Sequence, residues 1–510
     1  MAQIHWAQNQ NGNWTTASDW SSGTVPGAAD DVFLGYAVTV TSDSNVTVNS
    51  IGTNTGTTLV IANESTFVAT NGTGSSLSLG TINVTGDSTL DVGAGVFDNV
   101  GSVVLGTTGL YDTFLVDNVV QLEGGGHIDM VAHSDQGGNY IEANPSRPNQ
   151  LSQIDNVDNN IAGDGFIGDV YFDNQANGIL ETSSPLGGGT LELFNSNIAG
   201  QGFQNEGHVF ADDGGTLELF GVSGGAAFFN FGNFYVNSYG DRTVLEIAGD
   251  VVLKGAGNVT LSDSFSNFIA TNGQSARFEN VDNVISGSGQ VYDPILSLAN
   301  DAQGKIEATN ANLPLVLYTG TNAIANAGLM EAINGATLEI QSPVVSSGTI
   351  VAKGGNVVMV GNLSGTGKSE IFSGSHLELL GSADKTAAVF ENNSGDTGTL
   401  VLEHSAIKGG VSAFKGTVAG LYTDGTHSDA LVLQDIKFAS VTWSFTEGAL
   451  GRSGVLTVHD ASGDTAKINL LGQYLAANTT VTSANSSLFQ RSADDVTGTT
   501  GTLITTTFHH

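Results

Sequence analysis

One stretch constrains the fold more than any other. Phe203, Asn205, Gly207, Val209 and Ala211 are followed by Gly214, Thr216, Leu217, Glu218 and Leu219. The same order returns as Ile324, Asn326, Gly328, Met330 and Ala332, then Gly335, Thr337, Leu338, Glu339 and Ile340, at a constant offset of 121 (324 − 203 and 340 − 219). The unit is a short strand, a glycine turn and a second short strand. It cannot bury its apolar face alone, so it must stack on copies of itself. In Thr-Leu-Glu-Leu the alternation turns Leu217 and Leu219 inward and Glu218 outward.

A second set carries the duplication further. Asn156-Val157-Asp158-Asn159 returns as Asn280-Val281-Asp282-Asn283, so residues 154–219 and 280–340 pair as repeats. A shorter rhythm of about 20 residues suits the coil of a three-sided solenoid. The expected class is all-β: a right-handed parallel β-helix with an N-terminal cap and a C-terminal β module. The amides of the recurring asparagines are expected to stack as a ladder. Glu192, Glu218 and Glu246 fall at compatible positions. On adjacent coils they form an outward acidic row, and stacked like charges then require splaying or a cation.

Along the chain, residues 1–35 hold three of the four tryptophans, Trp6, Trp14 and Trp20. A solenoid's first coil exposes an apolar end that large rings can cover, and this segment reads as the cap. A sugar-binding Trp stack is the competing reading. Residues 36–410 read as the solenoid. Residues 411–510, with longer strands such as Val441-Thr442-Trp443-Ser444-Phe445, read as a module closing the other end and as a possible secretion or assembly region.

Charge narrows the function classes. The chain carries 14 Lys and Arg against 50 Asp and Glu, a net charge of −36, with no cation before Arg147. Nucleic acid and anionic membranes both need Lys/Arg patches, so neither is an expected partner. There is no cysteine, hence no disulfide or thiolate chemistry. The first residues lack a basic and then an apolar leader region, and no apolar run is long enough to span a bilayer.

The Asn-Val-Asp-Asn-x-Ile-x-Gly-x-Gly units, Asn326 to Ala332, Phe414 to Gly420 and Leu470 to Tyr474 resemble the repeats of bacterial secreted and surface proteins with parallel β-helix, autotransporter-passenger-like or adhesin-like architecture. What the resemblance implies is an extracellular or cell-surface location, export by a non-classical or C-terminal signal, and a role in adhesion or surface assembly.

Motifs for chemistry are sparse. Gly163-Asp164-Gly165-Phe166-Ile167-Gly168 has dinucleotide-fingerprint spacing but opens no helix and belongs to the duplicated turn. No zinc helix and no esterase elbow occurs. The polar stretch His127–Gln150, read as a loop leaving the stack, is the one place to look for chemistry. Asp129 and Glu142 are the candidate carboxyl pair for glycoside cleavage, with His133 or Tyr140 assisting. His127, Asp135 and Arg147 are candidate ligand contacts. Asp424, Asp429 and Asp435, around Gly425, are oxygen donors suited to Ca2+. The leading expectation is a secreted or cell-surface structural protein acting in adhesion or self-assembly, with itself or cell-surface glycans as partner. A polysaccharide-active β-helix enzyme is the alternative; it would be a hydrolase or transferase rather than a lyase, since cations to hold substrate carboxylates are scarce.

Overall fold

A computed structural model describes residues 3–106, 111–131, 138–146, 151–183, 189–196, 201–391, 397–403, 414–494 and 501–507. Strand accounts for 56% of the protein, more than twice the usual 20–25%. Among the described residues there is no α-helix, only the short 3-10 turns Ala17–Asp19 and Phe438–Ser440. The chain is a right-handed parallel β-helix, divided into two compact units: Met1–Ser262 with Ser266–Arg277, and Asp263–Phe265 with Phe278–His510.

In the first unit each coil contributes three strands. Thr113–Val116, Val119–Glu123 and His127–Met130 form one coil, and Asn139–Ala143, Gln153–Asn156 and Asn160–Gly163 the next. Each strand pairs in parallel with its counterpart one coil on. We call the three sides of a coil, in chain order, its first, second and third faces. Coils here are longer than the expected 20 residues: Glu192 and Glu218 are register partners 26 residues apart (218 − 192). The added residues lie in the turns, which the strand alternation does not meter.

Alternation sorts the side chains. Phe114, Ile141, Ile167, Leu193, Leu219 and Ile247 are successive register partners on the first face and point inward. All six are fully or almost fully buried. Each removes a whole apolar side chain from water, worth about 1.5–3 kcal/mol, and none could do so without the coils on either side.

The turn from the second to the third face carries the recurrent Asn-x-Gly. Asn156, Asn174, Asn205 and Asn230 form a buried chain of amides, each Nδ2 donating to the next Oδ1 at 2.8, 2.9 and 2.8 Å. Two residues on, a β-carbon at Gly207 would collide with the carbonyl oxygens of Gln175 and Gly178 one coil away. Only glycine lets the backbones stack that closely.

The N-terminal tryptophans are buried, not displayed. Trp6 and Trp14 pack edge to face on Trp20 at 5.0 and 4.6 Å, and Trp14 meets the inward Phe67 at 5.0 Å. Covering the apolar end of the stack leaves no ring face for a sugar.

The second unit repeats the pattern. Leu338, Val357, Leu377, Leu400 and Leu431 form an inward column. Asn280, Asn300, Asn326 and Ser346 form a second ladder at 3.0, 3.0 and 3.1 Å. Coils shorten to 19 residues, as between Thr349 and Lys368 (368 − 349). Parallel pairing continues past residue 410, through Thr417–Ala419 and Ala430–Leu433, so the end of the sequence duplication precedes the end of the stack. The last first-face strand is then covered by antiparallel Thr502–Thr506. Thr465–Leu471 covers Thr417–Ala419 and joins an antiparallel meander with Ser453–His459 and Thr442–Glu447. Two of the three faces are thereby covered at this end, so their last stacked strands offer no open template for aggregation.

Candidate functional site

The polar stretch around His127–Gln150 is not a single excursion. Ile128, Met130 and Ile141 are buried core residues, and they hold His127–Met130 on the third face and Asn139–Ala143 on the first face of the next coil. Asp129 and Glu142 therefore stand on different faces, and the structure does not bring this pair together as a groove. His127 is exposed beside Asn160, whereas Asp129 lies covered between Val104 and Ala162. Tyr140 and Glu142 share the outer side of one strand. His133, Asp135 and Arg147 lie outside the described residues.

The aspartates around Gly425 are engaged in the turn itself. Asp424 Oδ1 accepts bonds from the Thr426 and His427 amides and the Thr426 hydroxyl, all at 2.7 Å. These donors hold its carboxyl well below the ordinary range. Asp429 accepts from the Gly398 and Tyr422 amides at 3.0 and 3.1 Å. Burial nevertheless pushes its pKa up to about 6. Asp435 also has an interaction partner. Among the described residues no three His, Cys, Asp or Glu side chains gather as a metal-holding group.

Tyr140 and Glu142 instead belong to a longer feature on the outside of the first face. Tyr140 is the register partner of Phe166, and Phe194 that of Phe220. Tyr111, Tyr140, Phe166, Phe194 and Phe220 follow one another with ring centroids 6.1, 5.7, 5.6 and 5.3 Å apart. The row crosses from one outward column to the next at Gly168. There a β-carbon would overlap the Phe166 ring, which leans across that position toward Phe194. Tyr111 is half exposed, and the other rings are partly exposed.

Carboxylates flank the rings. Glu142 is two residues from Tyr140, Glu192 two from Phe194 and Glu218 two from Phe220. Glu192, Glu218 and Glu246 are successive register partners, so the expected acidic row exists. Partial burial pushes Glu192 up to about 7, and Glu218 beside it adds to the shift. Burial likewise raises Glu142, with Asp169 adding to it, and Glu218, which accepts from Asn272 Nδ2 at 3.3 Å. Burial also raises the Tyr140 phenol, with Tyr111, Glu142 and Glu192 contributing. Partly dry rings in a line, bordered by carboxyls, can stack on flat apolar surfaces and accept hydrogen bonds beside them.

A smaller polar group sits on the second face, and sequence reasoning missed it. Asp155 and Asp173 are register partners. Gln153 Nε2 donates to Asp155 at 2.6 Å, and Gln204 Nε2 to Asp173 at 3.3 Å. Tyr171 Oη donates to Gln204 Oε1 at 3.1 Å. Burial pushes Asp173 up to about 6, with Glu206 and Asp155 adding to the shift. Only the coil register juxtaposes these residues; the recurrent second-face pattern around Asn156 and Asn174 was the signal that could have aligned them.

No family model matches the chain, and neither does any curated protein or solved structure. Among the described residues no helix is long and apolar enough to cross a membrane.

Proposed function

We propose that the chain is a structural β-helix protein of the cell surface or extracellular space that acts in adhesion by holding glycan chains along the row of rings on its first face. The observation that carries this reading is the row itself: Tyr111, Tyr140, Phe166, Phe194 and Phe220 at near-constant spacing, partly exposed on a rigid ladder. Sugar rings present flat C–H faces, and aromatic side chains bury such faces at little conformational cost. Coil stacking repeats the platform along the axis, so a chain of sugars meets a chain of rings. Bacterial origin and self-assembly into filaments or layers belong to the same proposal. The acidic, cation-poor composition supports an extracellular, soluble setting.

The test is a glycan array probed with the whole chain and with a Tyr140→Ala, Phe166→Ala, Phe194→Ala variant of unchanged circular dichroism. The parent binds and the variant does not. Equal binding by both, or binding by neither, removes the stripe from the account. A second reading, a polysaccharide-active enzyme, is favoured by the Asp155–Asp173 pair: stacked carboxyls with one pKa raised suit general acid and base roles. Release of reducing sugar that survives loss of the ring row and stops in Asp173→Asn would favour it.

A further inference from the structure

We infer that the first-face stripe takes a linear glycan whose sugars carry free, protonated amines; this rests on the adhesion reading above and names its ligand class. The argument is the placement of charge along the rings. Glu192 and Glu218 face outward in register on adjacent coils, with Glu246 next in line. Strands one coil apart are separated by about 4.8 Å, so charge on one of these carboxyls disfavours charge on the next, and a cation between them favours ionisation of both. Glu142 borders the other end of the row, beside Tyr140. Among the described residues no Lys, Arg or His forms an ion pair with Glu142, Glu192 or Glu218, although such pairs form elsewhere, as at Lys305 with Glu307 and Glu331. Glu218 accepts one amide hydrogen bond, from Asn272.

Three ligand classes meet this surface differently. An acidic polysaccharide brings like charge to the row and to a chain of net charge −36. A neutral glycan stacks on the rings and donates hydroxyl hydrogen bonds to the carboxylates, but it leaves their charge uncompensated on a partly dry surface. A glycan bearing ammonium groups stacks in the same way and also supplies a charge-assisted donor to each carboxylate. The ring row sets the direction of the chain. Glu142 borders the row on one side, and Glu192 and Glu218 border it on the other after the rings change column at Gly168, so the glutamates meet substituents projecting from both edges of the sugar chain. Charge complementarity thus selects the third class.

The experiment is calorimetric titration of the whole chain with four probes: a glucosamine oligomer, its fully N-acetylated counterpart, a glucose oligomer and an oligolysine of matched charge. A Glu142→Gln, Glu192→Gln, Glu218→Gln variant, with circular dichroism unchanged, is titrated alongside. The expected result is that the glucosamine oligomer binds roughly tenfold or more tighter than the acetylated and glucose forms. The glutamine variant brings that preference to within about twofold while keeping the weaker neutral binding. Equal affinity for amine and acetylated forms overturns the inference and leaves the adhesion reading standing. So does a preference unchanged in the glutamine variant. Failure of every glycan to bind overturns both. Oligolysine bound as tightly as the glucosamine oligomer overturns the inference, because charge alone would then explain the preference for the amine form.

Discussion

Replacing Asn205 by alanine removes the middle rung of the first amide ladder. Asn205 is fully buried. Its Nδ2 donates to Asn230 Oδ1 at 2.8 Å, and its Oδ1 accepts from Asn174 Nδ2 at 2.9 Å. Asn174 Nδ2 retains the Gly178 carbonyl at 3.1 Å, so its loss is partial. Each intramolecular hydrogen bond is worth about 1 kcal/mol net, and a buried polar atom left without its partner costs about 1–3 kcal/mol. The two short bonds lost, with the weaker Nδ2 bond to the Asn233 carbonyl at 3.5 Å, give a destabilisation of about 2–3 kcal/mol. The control is Asn258→Ala, which removes an exposed bond to Asn233 Oδ1 at 3.1 Å and should cost no more than about 0.5 kcal/mol. Urea unfolding followed by circular dichroism measures both. Because stacked coils need not unfold in one step, the comparison is made on the transition that moves. An Asn205→Ala midpoint shifted no further than that of Asn258→Ala would refute the view that the ladder is a stabilising element.

The remaining predictions follow from the same geometry. Glu192, Asp173 and Asp429 have folded-state pKa values raised to about 7, 6 and 6 from 4.5, 3.8 and 3.8. Raised acids contribute stability that is complete below the unfolded values and lost as pH climbs through the folded ones. The melting temperature is therefore higher near pH 5 than near pH 7.5, and the difference shrinks in Glu192→Gln. One pKa unit is 1.36 kcal/mol, and after allowance for solvent screening Glu192 accounts for about 1 kcal/mol of this; a melting temperature that rises steadily from pH 5 to 7.5 would count against it. Asp31, Asp424 and Asp460, whose values are lowered, act only below the ordinary Asp range. Gly168→Ala forces the Phe166 ring off its seat, costs about 1–3 kcal/mol as an overpacked site and weakens glycan binding. Unchanged stability and binding would mean that the ring does not need that seat. Finally, Ca2+ at millimolar levels is expected to raise the melting temperature relative to chelator, by binding the folded acidic surface in preference to the unfolded chain; identical melting curves would remove calcium from the account.

Much of the fold was legible because its cause is local. The Leu217-Glu218-Leu219 alternation, the Asn205-x-Gly207 turn and the buried N-terminal tryptophans each follow from a few adjacent residues. Even the Glu192–Glu218–Glu246 row could be read, since those residues share the Leu-Glu-Leu or Leu-Glu-Ile frame. The ring row was not legible. Its members are spaced by coil lengths that differ, and it changes column at Gly168, so only the backbone register joins Phe166 to Phe194. The polar stretch misled for the opposite reason. Scarce apolar residues there, Ile128, Met130 and Ile141, are enough to seat two strands in the stack. Charged neighbours hid them, and Asp129 and Glu142, close in sequence, came to stand on different faces.

The most direct test is a crystal structure of the chain soaked with a glucosamine oligomer. The account predicts sugar rings lying on Tyr140, Phe166, Phe194 and Phe220, with amine nitrogens within hydrogen-bond distance of Glu142, Glu192 or Glu218. Sugar bound instead over Asp155 and Asp173, with the ring row bare, would contradict it.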